Sequence, residues 1–193
     1  MGSEVRGLFF DLDGTLCDTD QANYEAYARA FRDEGITIDP EAFTELQGRQ
    51  GLRADAFIPK LAPGIAPEAV ARIRAAKAKY YPDCMHLVAP NEQLINFIRM
   101  SRGQHTTALV TTAQRANALG VLKHAAITDL FDHMVFGGDV THPKPHPEAY
   151  LKALEISGLD PNDVIAFEDS ESGVASAAAA GLKVIRVKVA NAR

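Results

Sequence analysis

The chain is predicted to adopt an α/β fold in which a parallel β-sheet is flanked by helices and interrupted by an inserted helical segment. Two observations predict this fold. Apolar runs typical of buried strands alternate with helical stretches from Asn91 to Val187, which is the order expected for a parallel sheet with right-handed crossovers. Between Cys17 and Leu87, in contrast, the pattern is helical, lacks a strand signal and is broken by several prolines.

The first strand, Gly7–Phe10, is apolar on both faces and is therefore predicted to be buried. It leads directly into two aspartates, Asp11 and Asp13, and then into Gly14, which permits a tight turn. Because side chains alternate between the two faces of a strand, the side chains of both aspartates are predicted to lie on the same side. Their negative charges then repel unless a cation or a shared proton lies between them. A turn with helix-capping residues would explain the same pattern, but three further elements downstream favour a metal site.

The inserted segment, residues 17–87, is predicted to form a helical cap domain, and residues 1–16 together with 88–193 form the α/β core domain. Apolar side chains at helical spacing predict two amphipathic helices that bracket a small bundle. The residues concerned are Tyr24, Tyr27, Ala28 and Phe31 in the first helix, and Val70, Ile73, Ala76, Ala78 and Tyr80 in the second. Two covalent connections to the core would allow the cap to act as a hinged lid.

Two elements suited to binding a phosphate follow in the core. The buried-strand signal Thr107–Val110 ends in Thr111 and Thr112, where a hydroxyl and the free N–H groups of a helix start can bind a phosphate oxygen. Strand-end and helix-capping roles are the commoner explanation of such a pair.

Lys144 lies in the proline-stiffened loop Pro143–Pro147. Its ammonium can neutralise a phosphoryl group and an adjacent aspartate, although a surface lysine in a turn is the alternative.

The fourth element is the buried-strand signal Val164–Phe167, which is followed by Glu168 and Asp169. Mg²⁺ prefers hard oxygen ligands in octahedral geometry and keeps several waters, so two carboxylates with a backbone carbonyl and a substrate oxygen suffice to hold it. Acidic residues at a helix start also act as simple caps. The strand-end position of this pair favours completion of a cation site.

Taken in order, the four elements resemble the motifs of the haloacid dehalogenase superfamily of phosphohydrolases and phosphomutases: DxDG, a strand-terminal Ser or Thr, a Lys and an acidic pair. The resemblance spans Val5 to Val187. It includes Phe-Glu-Asp-Ser-x-x-Gly-Val, which begins at Phe167, and the later Ala180-Gly181-Leu182. These features are similar to the subfamily that contains β-phosphoglucomutase and small phosphatases. The fold that the resemblance implies is a Rossmann-like parallel sheet with a helical cap.

The resemblance implies that Asp11 is the nucleophile, which forms an aspartyl-phosphate, and that Asp13 is the general acid and base. It implies Mg²⁺ as the cofactor. The metal would be held by the carboxylate of Asp11, the backbone carbonyl of Asp13 and the carboxylate of Asp169, with Glu168 close by and often acting through water.

The phosphoryl oxygens would be held by Lys144, Thr111 and the N–H of Thr112, which would stabilise the charge of the transition state. Substrate specificity is expected in the cap, where Asn23 and Arg49 are the candidates; Arg49 could bind a carboxylate or a second phosphate, or be a solvated arginine in a turn.

The reaction implied is hydrolysis of a small phosphorylated metabolite. The alternative is a sugar phosphomutase of the β-phosphoglucomutase type. The cap-helix histidine of those mutases corresponds here to Asn23, which favours hydrolysis. A non-catalytic module that binds a phosphorylated metabolite is expected to lack a catalytic residue, but the nucleophile, the acid, the lysine and the metal ligand are all present.

Composition agrees with an ordinary globular enzyme. The 20 Lys and Arg residues are outnumbered by 25 Asp and Glu residues, and no basic cluster is present, so nucleic acid is not an expected partner. No apolar run has the length of a membrane span or of a signal peptide. Cys17 and Cys84 form neither a metal-binding spacing nor a disulfide framework, which predicts a reducing cytoplasm. We expect a monomer or a weak homodimer.

Overall fold

The computed structural model describes residues 4–187 and residue 189, and these divide into two compact units. The first unit consists of the described residues up to Asp18 and from Ala89 onward, and the second of Thr19–Val88. Among the described residues, no helix combines the length and the apolar character needed to cross a membrane.

The first unit is built on a five-stranded sheet whose paired strands all run parallel, which confirms the predicted α/β class. The strands are β1 (Gly7–Phe10), β4 (Thr106–Val110), β5 (His133–Val135), β6 (Val164–Glu168) and β7 (Lys183–Arg186). Their order across the sheet is β5-β4-β1-β6-β7. All residues of the central strand β1 are buried, as its apolar run predicts.

The register of the sheet decides which side chains meet at its carboxyl edge. Phe10, the last residue of β1, is level with Leu109 in β4 and with Phe167 in β6. Phe10 and Phe167 also stack, with ring centroids 4.7 Å apart. The residues that follow these three positions, Asp11 among them, therefore emerge at one edge of the sheet.

A second, two-stranded antiparallel sheet joins β2 (Cys17–Asp18) to β3 (Ala89–Pro90). The prediction that the segment from Cys17 is wholly helical is therefore wrong at its first two residues. A strand this short has no periodicity of its own. Its pairing partner lies far along the chain, so only the tertiary structure defines it.

Helices flank the sheet of the first unit: α5 (Glu92–Ser101), α6 (Arg115–His124), α7 (Glu148–Ser157) and α8 (Glu171–Ala179). Two of them begin at a side-chain cap. The Asn91 side chain accepts a hydrogen bond from the N–H of Leu94, and the Ser170 hydroxyl accepts one from the N–H of Gly173. Each cap satisfies a backbone donor that the first turn of a helix leaves unpaired, and so determines where that helix begins.

The second unit is helical and contains α1 (Asp20–Asp33), α2 (Pro40–Phe43), α3 (Ala54–Leu61) and α4 (Pro67–Tyr80), with a π-helix at Thr44–Arg49 and a 3₁₀-helix at Tyr81–Leu87. Its core is aromatic: the Phe57 ring packs against Tyr27 and Phe43 at centroid distances of 4.9 and 5.5 Å. Phe31 from α1 and Ile73 from α4 belong to the same cluster. The two predicted amphipathic helices are thus confirmed as α1 and α4, but Ala78, predicted on the apolar face of the second, is exposed.

Candidate active site

Lys144 joins two carboxylates at the carboxyl edge of the sheet. Its Nζ donates hydrogen bonds to Asp11 Oδ1 at 2.6 Å, to Glu168 Oε1 at 2.5 Å and to the carbonyl oxygen of Val110 at 2.8 Å. The Lys144 side chain is only 4% exposed. The alternative that Lys144 is a solvated surface lysine is therefore wrong, because its ammonium is buried between groups at the carboxyl ends of three neighbouring strands.

The loop that carries Lys144 is held at both ends by hydrogen bonds. The Glu148 carboxylate accepts hydrogen bonds from the backbone N–H of Thr141 at 2.7 Å and of His142 at 2.9 Å. Ser176, on α8, donates from its hydroxyl to the carbonyl oxygen of His146 at 2.7 Å. These contacts, together with the prolines of the loop, restrict the backbone from which Lys144 extends.

Tyr150 is a member of this site that the sequence analysis missed. It lies on α7 and is fully buried, and its hydroxyl donates to Glu168 Oε1 at 2.6 Å. Burial, followed by the charge of Glu168, raises the pKa of Tyr150 well above its usual value, so the hydroxyl remains protonated and can donate. The only signal for Tyr150 in the sequence is its place on the apolar face of a helix shortly after Lys144, which is also the signal of an ordinary core residue.

Three carboxylates form an acidic cluster beside this lysine. Asp11, Glu168 and Asp169 each offer an oxygen, and these oxygens lie within 4.8 Å of one another. The Oε2 atom of Glu168 is buried without a hydrogen-bond partner among the described residues. A buried carboxylate oxygen with no donor is costly unless a further positive group satisfies it. The donor set therefore fits a metal ion, and the three residues could hold one.

Two glycines border the acidic cluster. A Cβ at Gly14 would collide with the Asp169 carboxylate, and a Cβ at Gly173 would collide with the Glu168 carboxylate. Gly14 also has φ +80°, a backbone conformation that favours glycine, which confirms the tight turn predicted after the aspartates. The carboxylates of Asp169 and Glu168 thus occupy the space that a side chain at Gly14 or at Gly173 would need.

The protonation of the cluster reflects its burial and its excess of negative charge. Burial raises the pKa of Asp11 well above its usual value, even though the Lys144 ammonium acts in the opposite direction. Burial and the charge of Glu168 raise the pKa of Asp169 to about 6. Burial disfavours the ammonium of Lys144, but its two carboxylate partners outweigh that effect and raise its pKa. A bound cation would relieve the same repulsion.

The remaining predicted core residues follow the strands β1 and β4 in the chain. Asp13 is half-buried in the turn that follows Asp11. Thr111 is buried directly after β4, and its hydroxyl accepts a hydrogen bond from the N–H of Ala113 at 3.0 Å. Thr112 is exposed. The helix-capping alternative for Thr112 is wrong, because α6 begins at Arg115 and its capping position is Gln114.

Asn23 and Arg49, the predicted substrate contacts, belong to the second unit. Asn23 is buried on α1, where its side-chain N–H donates to the Thr19 hydroxyl at 3.2 Å. Arg49 is the last residue of the π-helix, and its side chain lies outside the described part of the structure. The roles of both residues stay predictions.

A parallel sheet with an acidic cluster and a buried lysine at its carboxyl edge defines a class of α/β hydrolytic enzymes. The family model of the haloacid dehalogenase-like hydrolases matches residues 8–187. The chain therefore belongs to this family, and the resemblance predicted from its four motifs is confirmed.

Similar proteins include phosphatases of phosphorylated sugars. The chain is 29% identical to the fructose-1-phosphate phosphatase YqaB of Escherichia coli (strain K12), over 98% of this chain and 100% of that protein. It is also 29% identical to the phosphorylated carbohydrates phosphatase of Thermotoga maritima, over 94% of this chain and 84% of the relative.

A solved structure shows the same likeness. The crystal structure of CbbY from Rhodobacter sphaeroides in complex with phosphate superposes with a TM-score of 0.83 at 25% sequence identity, covering 98% of this chain and 89% of that one.

Proposed function

We propose that this protein is a Mg²⁺-dependent phosphatase that hydrolyses a small phosphorylated metabolite, with phosphorylated sugars as the substrate class. The observation that carries the proposal is the buried contact of Lys144 with Asp11 and Glu168 beside the carboxylate of Asp169. This arrangement gathers a carboxylate nucleophile, a cation that can face a phosphoryl group and the ligands of a metal. The sugar-phosphate class is supported by the names of the two relatives.

In the proposed reaction, Asp11 attacks phosphorus in line with the leaving oxygen. A P–O bond to the Asp11 carboxylate forms, the bond to the substrate oxygen breaks, and Asp13 gives that oxygen a proton as the alcohol leaves. Asp13 then takes a proton from water, which attacks the aspartyl-phosphate and releases inorganic phosphate. Splitting the transfer into two displacements replaces one difficult step by two easier ones, and regenerates both aspartates.

Lys144 and the two threonines are proposed to bind the phosphoryl group. The Lys144 ammonium keeps its charge although it is buried. A charged donor in a buried position stabilises a developing negative charge more than the same donor does in water. Thr111, at the end of β4, and the N–H of Thr112 would supply further donors. The hydrogen bonds of the loop that carries Lys144 restrain this ammonium, so little reorganisation of Lys144 is needed during the reaction.

The metal is proposed to be held by the carboxylates of Asp11 and Asp169 and by the backbone carbonyl of Asp13, with Glu168 beside them. Oxygen donors of this kind suit Mg²⁺. When bound, the ion would offset the negative charge of the carboxylates and of the phosphoryl group.

We infer that the second unit, Thr19–Val88, is the cap domain predicted for residues 17–87, and that the first unit is the core domain predicted for residues 1–16 and 88–193. Asn23 and Arg49 are the proposed substrate contacts of the cap. A cap would exclude bulk water while the aspartyl-phosphate exists and would select the substrate. A reducing cytoplasm is the proposed location, since neither cysteine lies in a disulfide framework.

The proposal is tested by measuring phosphate release from a panel of phosphorylated sugars, fructose 1-phosphate among them, and from an aryl phosphate, with Mg²⁺ and with a chelator. We expect release that requires Mg²⁺ and that Asp11→Asn abolishes. Asp129→Asn is the matched control, because the same change is made at an exposed carboxylate. Full activity of Asp11→Asn would refute the nucleophile. Turnover that requires a sugar bisphosphate would instead identify a phosphomutase.

A further inference from the structure

The loop that carries Lys144 bears a second group of metal-ligating side chains. His142, His146 and Glu148 each offer a ligand atom, and these atoms lie within 4.8 Å of one another. Both histidines are exposed and Glu148 is half-buried. The two imidazole rings lie next to each other, with centroids 4.6 Å apart. The group is open to solvent, so an ion could reach it directly.

The Glu148 carboxylate lies close to both imidazoles. Its Oε2 is 2.8 Å from Nδ1 of His142 and 4.0 Å from Nδ1 of His146. The backbone N–H groups of Thr141 and His142 hold the same carboxylate by hydrogen bonds of 2.7 and 2.9 Å. A ligand oriented by surrounding hydrogen bonds binds an ion with a smaller loss of conformational freedom than a free side chain does.

We propose that His142, His146 and Glu148 form a surface site for a divalent transition-metal ion of the Zn²⁺ class. Two imidazoles and one carboxylate are a donor set that suits Zn²⁺, Ni²⁺ and Cu²⁺, whereas Mg²⁺ prefers oxygen donors alone. Three protein ligands leave further positions for water, as expected at an exposed site. The site shares no residue with the acidic cluster of Asp11, Glu168 and Asp169.

Binding at this site would act on the segment that positions Lys144. His142 precedes Lys144 in the chain, and His146 and Glu148 follow it, so one ion would connect the two sides of the loop. An ion that binds the folded protein and not the unfolded chain raises the free energy of unfolding. Once the ion concentration exceeds the dissociation constant, this increase grows with the logarithm of the concentration. The site therefore predicts stabilisation by Zn²⁺ that Mg²⁺ does not provide.

The test is Zn²⁺ binding to untagged, full-length protein by isothermal titration calorimetry, without substrate and in excess Mg²⁺. The excess Mg²⁺ is added to fill the metal site proposed at the acidic cluster. We expect one Zn²⁺ to bind. His142→Gln and His146→Asn should each weaken binding at least about tenfold, because each removes a ligand and the loss of a residue that merely orients a ligand already weakens binding by that factor. His124→Gln is the matched control, since His124 is exposed elsewhere on the first unit. We expect it to bind Zn²⁺ like the unaltered protein.

A thermal unfolding series gives a second readout. Zn²⁺ should raise the midpoint of the unaltered protein and of His124→Gln, and should raise that of the two site variants less at the same concentration. Unaltered Zn²⁺ affinity in both site variants would overturn the proposal. So would a loss of Zn²⁺ binding in Asp169→Asn alone, which would assign the ion to the acidic cluster. Circular dichroism of each variant shows whether it is folded, and either of the two site variants suffices for the test.

Discussion

Replacement of Tyr150 by phenylalanine tests the buried hydrogen-bond network directly. The change deletes one hydroxyl group and leaves the ring, so the packing of α7 against the sheet is retained. The deleted hydroxyl donates to Glu168 Oε1 at 2.6 Å, and both residues have no solvent exposure. Without this donor, the oxygen keeps Lys144 as its partner, and water has no access to replace the hydroxyl.

The expected loss follows from the charge and burial of the acceptor. A hydrogen bond to a charged group contributes about 1.5–3 kcal/mol to the free energy of unfolding. We therefore expect Tyr150→Phe to lower the free energy of unfolding by this amount in metal-free buffer. Because one factor of ten corresponds to about 1.4 kcal/mol, the population of the unfolded state should rise by about tenfold or more.

The assay is urea unfolding followed by far-UV circular dichroism, which suits a chain without tryptophan. Tyr80→Phe is the matched control. The Tyr80 hydroxyl also donates to a carboxylate, that of Asp33 at 2.8 Å, but this bond is exposed to solvent. We expect it to contribute less than about 1 kcal/mol. Equal losses in the two variants, or a loss below about 0.5 kcal/mol in Tyr150→Phe, would refute the reasoning.

Three further predictions concern the same unit. Gly173→Ala places a Cβ against the Glu168 carboxylate, so the Mg²⁺ concentration for half-maximal phosphate release should rise at least about tenfold. Cys17 is fully buried and its pKa is raised to about 12, by burial first; at pH 8 its thiol is protonated and should resist a disulfide reagent until the protein unfolds. Lys144→Met leaves two buried carboxylates uncompensated, which should lower the free energy of unfolding by about 3–5 kcal/mol.

Each of these predictions has a control or an outcome that would contradict it. Gly138→Ala should leave the Mg²⁺ requirement unchanged, since a Cβ there meets only the Gln114 side chain at 3.5 Å. Rapid reaction of Cys17 in the folded protein would contradict its burial. The loss in Lys144→Met should shrink as the pH falls, because a protonated carboxyl needs no counter-charge. A loss of unfolding free energy that grows in acid would contradict the ion pairs. So would an equal loss in Lys123→Met, since Lys123 is exposed.

Local pattern was sufficient to predict the main strands and the residues that end them. Gly7–Phe10 is apolar throughout, which is typical of a strand buried on both faces. Polar residues at the end of such a strand emerge at the carboxyl edge of the sheet. The positions of Asp11 and Glu168 at one edge of the sheet follow from this rule once the sheet is parallel. The short strand pair of β2 and β3 could not be predicted, since its residues carry no periodic signal.

The sequence by itself determined the family and the residues that carry its chemistry, because apolar periodicity and the order of the motifs are local properties of the chain. Only the tertiary structure decided which groups contact each other. The register of β1 with β6 brings Asp11 close to Glu168, and the loop before α7 places Lys144 between them. The packing of α7 brings the hydroxyl of Tyr150 to the carboxylate of Glu168. Such contacts depend on distances between residues remote in the chain, which no local pattern specifies.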